Sequence, residues 1–459
     1  MRSHDVSGSS FRDPSGFIFT YKGEIFRQIN YVYKEHYEAL MTTGLYHELV
    51  SRALLVSHEE VFIDTSKPEL CYKIIKPIKV PFISYPYEWS FSQLKDAALL
   101  TLEVQNIALK YGLILKDANG FNVQFLRGKP IFIDTLSFEK YVEGSPWVAY
   151  RQFCQHFLSP LALMSLRDVR LNQLLKDYLD GIPLDLASKL LPKSSWLNFS
   201  LALHIHLHAL NMNEKSIKHS TIKTIDSTSL FGLLDNLKST ITKLSWKPEK
   251  TAWLDYYNVN KYSNDEFLQK KSIVREYVHR IQPKIIWDLG SNIGIFSRLA
   301  SNNLIDCISV DIDPSCVEMN YLHTKENHEE HILPLCVDLI NPSPDTGWNN
   351  EERTSFLSRG RADLILCLGL MHHLIISNNI PLDLIMEFFS KMSNHLIIEF
   401  IPVDDPQAQR LLKYDRIFHD YSKDKFETIF QEKFSILDHQ NVENSGRIIY
   451  LMENRRNKC

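Results

Sequence analysis

The stretch at residues 284–301, KIIWDLGSNIGIFSRLAS, constrains the fold more than any other part of this 459-residue chain. The apolar run at 285–287 predicts a buried strand that ends at Asp288. Gly290 and Gly294 bracket a turn before the helical pattern IFSRLA. Because glycine has no Cβ, the backbone here can adopt unusual dihedral angles and let a ligand approach the start of the helix closely. The stretch therefore predicts a strand, a tight loop and a helix that together hold a ligand.

The spacing of the glycines distinguishes two classes of nucleotide-binding enzyme. The dinucleotide fingerprint is G-x-G-x-x-G, but residues 288–294 read D-x-G-x-x-x-G, which argues against a nicotinamide enzyme. The pattern resembles motif I of class I S-adenosylmethionine (SAM) methyltransferases, in which this loop wraps the methionine part of the cofactor. The resemblance implies a cofactor site that includes Asp288, Gly290, Asn292 and Gly294.

An acidic residue follows the next predicted strand. The apolar run at 308–310 ends in Asp311, twenty-one positions after Gly290. In doubly wound sheets an acid about 20 residues beyond the glycine turn accepts hydrogen bonds from a ribose. We therefore predict that Asp311 is the ribose ligand, with Asp313 as the weaker alternative.

Three more strands are predicted at 331–337, 363–368 and 394–400. The first ends in Asp338, where related enzymes hold the adenine amino group, and Glu399 lies near the end of the third. We assign Asp338 and Leu368 to the cofactor site. Any one of these acids, taken alone, is more simply a turn or capping residue. Together, after a glycine turn, they predict the ligand-binding edge of an open α/β sheet.

His372 and His373 follow the fourth strand, beside the place where the methyl group would project. Histidine titrates near neutral pH and can accept a hydroxyl or amine proton. We predict that one of the two is a base or positions the acceptor. The alternatives are a histidine that only packs at the start of a helix, and catalysis by proximity alone. The absence of an N-P-P-Y type signature argues against methylation of DNA bases or glutamine.

Composition limits the partners of the chain. The formal net charge of -4 provides no basic stripe for nucleic acid, and the pair Lys270 and Lys271 is interpreted as a solvated helix face. Seven cysteines without a C-x-x-C pair fit neither a disulfide framework nor a zinc ribbon. No apolar run approaches the roughly 18 residues of a membrane helix. We expect a cytoplasmic protein with a small-molecule substrate, no nucleic acid and no membrane, and the sequence leaves its oligomeric state open.

A second constellation lies in the amino-terminal half. Asp117 and Asn122 stand five positions apart, a hairpin turns at 127–129, and Asp134 follows its second strand. The segment resembles the catalytic loop of the protein-kinase and aminoglycoside-phosphotransferase superfamily, which implies ATP and magnesium at these residues. There is, however, no glycine-rich phosphate loop, and Arg27 follows the first hairpin where a kinase has lysine. An active phosphotransferase, an inactive kinase-like domain and a simple hairpin with polar turns all remain open.

Periodicity predicts the other elements. We expect a hairpin at 17–29, helical structure at 31–56, short strands at 61–81, and helices at 90–111, 230–244 and 264–280. His204 and His208 share a helix face, but no acidic partner lies nearby in sequence, so packing is favoured over a metal site. Pro342 and Pro344 are interpreted as marking only a surface loop.

The segments DLGSNIGIFSRLA and LGLMHHLIISNNIPL, with others along nearly the whole chain, resemble the bacterial two-part methyltransferases related to the host-specific nodulation protein NoeA. The resemblance implies an α/β fold. A Rossmann-like methyltransferase domain with a mostly parallel, doubly wound sheet at 246–459 would follow a kinase-like α+β domain at 1–245. It also implies SAM-dependent methyl transfer to an unknown small-molecule or carbohydrate-type acceptor. The alternatives are a bifunctional or kinase-like phosphotransferase and a non-catalytic SAM-binding module.

Overall fold

The computed structural model describes residues 5–6, 8–213, 226–249, 251, 264–411 and 421–458. The chain divides into two compact units. The first comprises residues 1–247 and 344–354, and the second comprises residues 248–343 and 355–459. Across the described ranges, no helix is both long enough and apolar enough to cross a membrane.

The first unit begins with a five-stranded antiparallel sheet of order β1-β2-β3-β5-β4. Its strands are β1 Asp5–Val6, β2 Gly16–Tyr21, β3 Glu24–Asn30, β4 His58–Val61 and β5 Cys71–Pro77. The predicted hairpin is β2–β3, and Lys22 and Gly23 at its turn both have positive φ. The helical region expected at 31–56 is split into Lys34–Thr42 and Leu45–Ser51, because Gly44 between them is left-handed with φ of 88°. Ile29 and Tyr37 are buried together in the core of this sheet.

A 20-residue helix, Phe91–Lys110, follows the sheet. Ser90 and Gln93 form a capping box at its start, which satisfies backbone N–H groups that the helix itself leaves free. Four short strands follow as two antiparallel pairs, β6 with β9 and β7 with β8. They are β6 Leu113–Leu115, β7 Val123–Leu126, β8 Lys129–Phe132 and β9 Phe138–Lys140.

The rest of the first unit is largely helical. Its α-helices are Tyr150–Phe153, Ser159–Leu166, Leu174–Asp177, Leu184–Leu190, Phe199–Leu201, His208–Asn213 and Ser227–Lys243. Two π-helical segments, Cys154–Leu158 and Ala202–Leu207, join neighbouring helices.

Residues 344–354 belong to the first unit although they lie between two strands of the second. The interpretation of this region as only a surface loop is therefore wrong. Glu352 is 5% exposed and accepts hydrogen bonds of 2.8 and 3.0 Å from Arg12. The guanidinium of Arg353 lies 4.3 Å from the ring centre of Phe121, and the Thr354 N–H donates to the Tyr85 hydroxyl at 2.9 Å.

The second unit is built on a seven-stranded sheet of order β12-β11-β10-β13-β14-β16-β15. Its strands are β10 Ile285–Leu289, β11 Asp306–Asp311, β12 Ile332–Cys336, β13 Ala362–Cys367, β14 Ser393–Phe400, β15 Phe434–Asn441 and β16 Ile448–Asn454. The first five strands in this order are mutually parallel, and β16 and β15 run antiparallel. The predicted mostly parallel sheet is confirmed. Asp288 lies inside β10, which continues to Leu289, and does not end the strand as predicted.

The strand order reverses between β10 and β13. The chain moves outward from β10 through β11 to β12, then returns to the other side of β10 and continues outward through β14. Open α/β sheets bind ligands outside the carboxyl ends of the strands at such a reversal. The topology therefore places a binding crevice where β10 and β13 end.

Helices cover the sheet. They are Asn264–Ile281, Ile295–Ser301, Pro314–Glu326, Leu382–Met392, Pro406–Leu411 and Lys423–Phe430. Ile273, Val274, Tyr277 and Val278, at helical spacing on the first of these, are buried in one cluster with Ile286 of β10. This packing fixes the preceding helix against the strand that carries the glycine loop.

Candidate functional site

A cavity of about 290 Å³ lies in the second unit. Residues at the carboxyl ends of β10 to β13 line it, at the reversal of the strand order. The structure brings six of the seven predicted cofactor residues to its wall: Asp288, Gly290, Asn292, Asp311, Asp338 and Leu368. The seventh, Gly294, is not among the lining residues.

The glycine loop is held against β11. The N–H groups of Gly290 and Ser291 donate to the Val310 carbonyl at 2.8 and 2.9 Å. Gly290 has φ of 76°, and a Cβ there would lie 3.3 Å from Leu370. The position therefore favours glycine for its backbone conformation and because the cavity wall leaves little room for a side chain.

Glycine is favoured at position 294 for a different reason. Its φ is 79°, and a Cβ would overlap the side chains of Asn320 and Arg298. Glycine is thus favoured at this position by its left-handed backbone and by the side chains packed against it. Its cofactor role stays a prediction.

Asp311 is a buried acid of the site, and backbone N–H groups hold both of its carboxylate oxygens. It is 9% exposed, and its two oxygens accept the N–H groups of Asn292 at 2.7 Å and of Asp313 at 2.9 Å. Burial raises the pKa of its carboxyl to about 6. A carboxylate has about four acceptor positions, so capacity remains for hydrogen-bond donors of a ligand. Asp313 instead accepts the Ser315 N–H at 2.8 Å and caps helix Pro314–Glu326.

Asp288 and Asp338 occupy different environments. Asp288 is 2% exposed and accepts a 2.6 Å hydrogen bond from Ser297, and burial raises its pKa to about 7. Asp338 is half-buried beyond the end of β12 and accepts the Ile340 N–H at 2.9 Å. Asp288 is therefore tied to the helix that follows the glycine loop, whereas Asp338 is the more exposed of the two acids at the cavity wall.

The fold places only one of the two predicted catalytic histidines at the cavity wall. His373 lines the cavity, while His372 does not and is 1% exposed. Burial lowers the pKa of both, to about 4 for His373, so that His373 is neutral near pH 7 and can accept a proton. A π-helical turn, His373–Ser377, carries Ser377 and the following Asn378 to the same wall. Such turns are frequent at functional sites.

Lys270 was missed by sequence reasoning. It lines the cavity and is 5% exposed, so the interpretation as a solvated helix face is wrong. Its ammonium donates to Glu399 of β14 at 2.7 Å. Helical spacing could have indicated that Lys270 is buried, because it shares a helix face with the buried residues Val274 and Tyr277.

The second constellation lies in the first unit. Asp134 forms an ion pair with Arg27 and accepts the Leu136 N–H at 2.9 Å. Burial alone would raise the pKa of Asp134, but Arg27 and the hydrogen bonds outweigh it, and the net pKa is lowered. Asn122 donates to Ser137 at 3.2 Å.

These contacts do not fit a magnesium site. Burial is the main cause of the raised pKa of Asp117, which also accepts the Asn119 N–H at 3.0 Å. Magnesium needs several deprotonated oxygen ligands, and one oxygen of Asp134 is already occupied by a guanidinium. Over the described part of the chain, no group of three or more His, Cys, Asp or Glu side chains is arranged to hold a metal.

The histidines at 204 and 206 have structural partners. His204 hydrogen-bonds to Tyr150 at 2.6 Å and to Asn236 at 2.8 Å. His206 hydrogen-bonds to Ser188 at 2.7 Å and to Ser195 at 2.8 Å. These contacts agree with packing roles.

Known proteins resemble the chain to different extents. No protein-family model matches it. The nodulation protein NoeA of Rhizobium meliloti (strain 1021) is 32% identical over 464 residues, which cover 98% of this chain and 96% of NoeA.

Solved structures resemble only part of the chain. The N-methyltransferase NodS from Bradyrhizobium japonicum WM9 is 13% identical over 42% of this chain and 98% of its own, with a TM-score of 0.32. Magnesium protoporphyrin IX methyltransferase (ChlM) from Synechocystis PCC 6803 with bound SAH is 15% identical over 43% of this chain and 88% of its own, with a TM-score of 0.32. The bifunctional kinase-methyltransferase WbdD is 13% identical over 47% of this chain and 45% of its own, again with a TM-score of 0.32. At these TM-scores the likeness defines neither the fold nor the activity of this chain.

Proposed function

The chain belongs to the family of the nodulation protein NoeA, and on that premise we propose that it is a SAM-dependent methyltransferase. One observation carries the proposal. The cavity at the reversal of the strand order joins the glycine loop at Gly290 to the buried Asp311 and the accessible Asp338. A glycine turn followed by acids at successive strand ends suits an adenosine-containing cofactor.

Each side chain has a role in the proposed complex. The loop at Gly290 and Asn292 surrounds the methionine part of SAM. Asp311 accepts hydrogen bonds from the ribose hydroxyls, Asp338 accepts one from the adenine amino group, and Leu368 packs beside the cofactor. These roles are supported by the positions of the four elements around one cavity.

Bound SAM supplies an electrophilic methyl group on a sulfonium centre. His373 would accept the proton that the acceptor hydroxyl or amine loses on methylation. Its lowered pKa keeps the ring unprotonated at neutral pH, so that a ring nitrogen is able to accept a proton. His372, buried away from the cavity, packs against His373 with ring centres 4.1 Å apart and orients it.

A small-molecule or carbohydrate-type acceptor suits the site. Ser377 and Asn378 offer uncharged hydrogen-bonding groups beside His373. Such groups pair well with hydroxyls and supply no charge for an ionic acceptor. The proposal includes a cytoplasmic location, without nucleic acid or membrane as a partner.

The first unit, proposed as an inactive kinase-like domain at 1–245, would select the acceptor. The ion pair between Arg27 and Asp134 supports inactivity, because it occupies an oxygen that magnesium would need. A phosphotransferase using ATP and magnesium at Asp117, Asn122 and Asp134 is thereby disfavoured.

Calorimetric titration of the full chain tests the proposal. We expect one S-adenosylhomocysteine (SAH) site per chain and no heat with ATP and magnesium. Absence of SAH binding in a folded sample would contradict the methyltransferase assignment. ATP binding that depends on magnesium would contradict the inactive first unit.

A methyl-transfer assay then separates an enzyme from a SAM-binding module. Purified protein is incubated with SAM labelled in the methyl group and pools of small carbohydrates and metabolites. We expect label in an acceptor, and His373→Gln should lower its rate about 100-fold while SAH affinity changes less than about threefold. His395→Gln, on β14 away from the cavity wall, is the matched control.

A further inference from the structure

Lys270 places a buried positive charge at the wall of the cavity. Its side chain is 6% exposed, and among the described lining residues no other is Lys or Arg. The acidic groups at the wall are Asp288, Asp311 and Asp338. The cavity therefore has one cationic position in surroundings that are otherwise neutral or acidic.

The ammonium of Lys270 has unused hydrogen-bonding capacity. It carries three N–H donors, and the described residues supply one hydrogen bond, from its Nζ to Oε2 of Glu399 at 2.7 Å. The ring centre of Phe296 lies 5.1 Å from Nζ and offers only a cation–π contact. Donors removed from water need acceptors, because leaving them unpaired is costly. A ligand in the cavity can supply those acceptors.

Glu399 only partly neutralises Lys270, because it is shared. Its Oε1 lies 3.6 Å from Arg447, which also donates to Asp405 at 2.8 and 3.1 Å. Glu399 is fully buried and Arg447 nearly so. The network holds the Lys270 side chain in place and leaves part of its positive charge directed at the cavity.

We propose that Lys270 binds the α-carboxylate of the methionine part of SAM, an inference that rests on the proposed function. This carboxylate is the one anionic group of SAM, whose other charges are an ammonium and a sulfonium. Lys270 lines the cavity together with Gly290 and Phe296, which flank the loop assigned to the methionine part. Lys270 thus makes the site specific for a cofactor that retains its carboxylate.

Decarboxylated SAM is the sharpest probe, because it lacks the carboxylate and keeps the adenosine, the sulfonium and the ammonium. Calorimetry would compare SAM with decarboxylated SAM on the wild-type chain and on the variant Lys270→Met/Glu399→Gln. The double substitution removes both members of the buried pair and so leaves no single unpaired charge at that position. Lys270→Gln, which retains a donor for Glu399, is the second variant. Lys271→Met is the matched control, since Lys271 is the next residue on the same helix and does not line the cavity.

The wild type and Lys271→Met should prefer SAM by about 10- to 100-fold, the range for a charge-assisted hydrogen bond. Both Lys270 variants should lose this preference through weaker SAM binding, with affinity for decarboxylated SAM unchanged within about threefold. A variant that keeps the preference, or that loses affinity for both ligands equally, overturns the assignment of Lys270. A folded wild-type chain that binds neither ligand overturns the proposed function, and the inference falls with it.

Discussion

Asp134 of the first unit and two acids of the second unit differ in what surrounds them. Asp134 in the first unit is held by the guanidinium of Arg27, which lowers its pKa. Asp288 and Asp311 in the second unit accept hydrogen bonds only from neutral donors in the contacts described, and burial raises their pKa values to about 7 and 6. An acid satisfied by a protein cation has little left for a ligand, whereas an acid beside a cavity keeps acceptor capacity. The comparison favours the second unit as the cofactor site.

The largest expected effect is at the glycine loop. Gly290→Val should abolish SAH binding in calorimetry, because φ of 76° is strained for a β-branched residue and its Cβ already meets Leu370 at 3.3 Å. Gly232→Val is the control, since no atom lies within 4 Å of a Cβ there. If Gly290→Val still bound SAH, the loop would not be part of the cofactor site, and the comparison would no longer favour the second unit.

The next effect concerns the first unit. Arg27→Met should lower the free energy of unfolding by about 3 kcal/mol, because Asp134 becomes a buried charge without its partner. The loss should shrink as pH falls below about 4, since a carboxyl with a lowered folded pKa contributes stability above its unfolded pKa and loses it on protonation. Urea unfolding at pH 7 and pH 3 measures both. An equal loss at the two pH values would show that the ion pair is not its source.

Asp311→Ala should weaken SAH binding by about 2 kcal/mol while the fold survives. The expected loss reflects removal of the acceptor that we propose for the ribose hydroxyls. Asp306→Ala, at the other end of the same strand, is the matched control and should bind like wild type. Wild-type affinity in Asp311→Ala would show that the ribose site is assigned to the wrong residue.

The last prediction extends the comparison to the pH dependence of stability. The raised folded pKa of Asp288 means that its contribution to stability is fully present below about pH 4 and is lost as pH rises toward 7, the reverse of Asp134. A rise of about three pKa units corresponds to about 4 kcal/mol, so Asp288→Asn should raise the free energy of unfolding by up to about 4 kcal/mol at pH 8 relative to pH 4. Unfolding of the variant and the wild type at both pH values tests this, and an unchanged difference would show that Asp288 is ionised without penalty.

The five parallel strands of the second unit could be predicted because their signals are local, whereas β15 and β16 were not predicted. Helix Asn264–Ile281 begins at the predicted residue and ends one residue later than predicted. The periodicity of apolar residues and the position of turn residues, both within a short stretch of sequence, determine such elements. Gly44 shows where apolar spacing alone fails as a predictor. The spacing at 31–56 predicts continuous helical structure, but the left-handed conformation of Gly44 divides it.

The missed features depend on contacts between distant residues. Lys270 is buried because Glu399, 129 positions away, accepts its hydrogen bond. The helical spacing around Lys270 is compatible with a buried face, but no residue near it in sequence indicates that a carboxylate will accept its hydrogen bond. His372 and His373 are adjacent in sequence, and which one faces the cavity depends on the π-helical turn that begins at His373.

Residues 344–354 have a consequence for the order of events during synthesis. The first unit contains these residues together with 1–247, and Arg12 needs Glu352 to complete its ion pair. Translation at about 5–20 residues per second takes roughly 5 to 20 seconds to pass from residue 247 to residue 344. During that interval β10, β11 and β12 emerge first. The amino-terminal unit, although begun earlier, therefore cannot finish folding until three strands of its successor have been made.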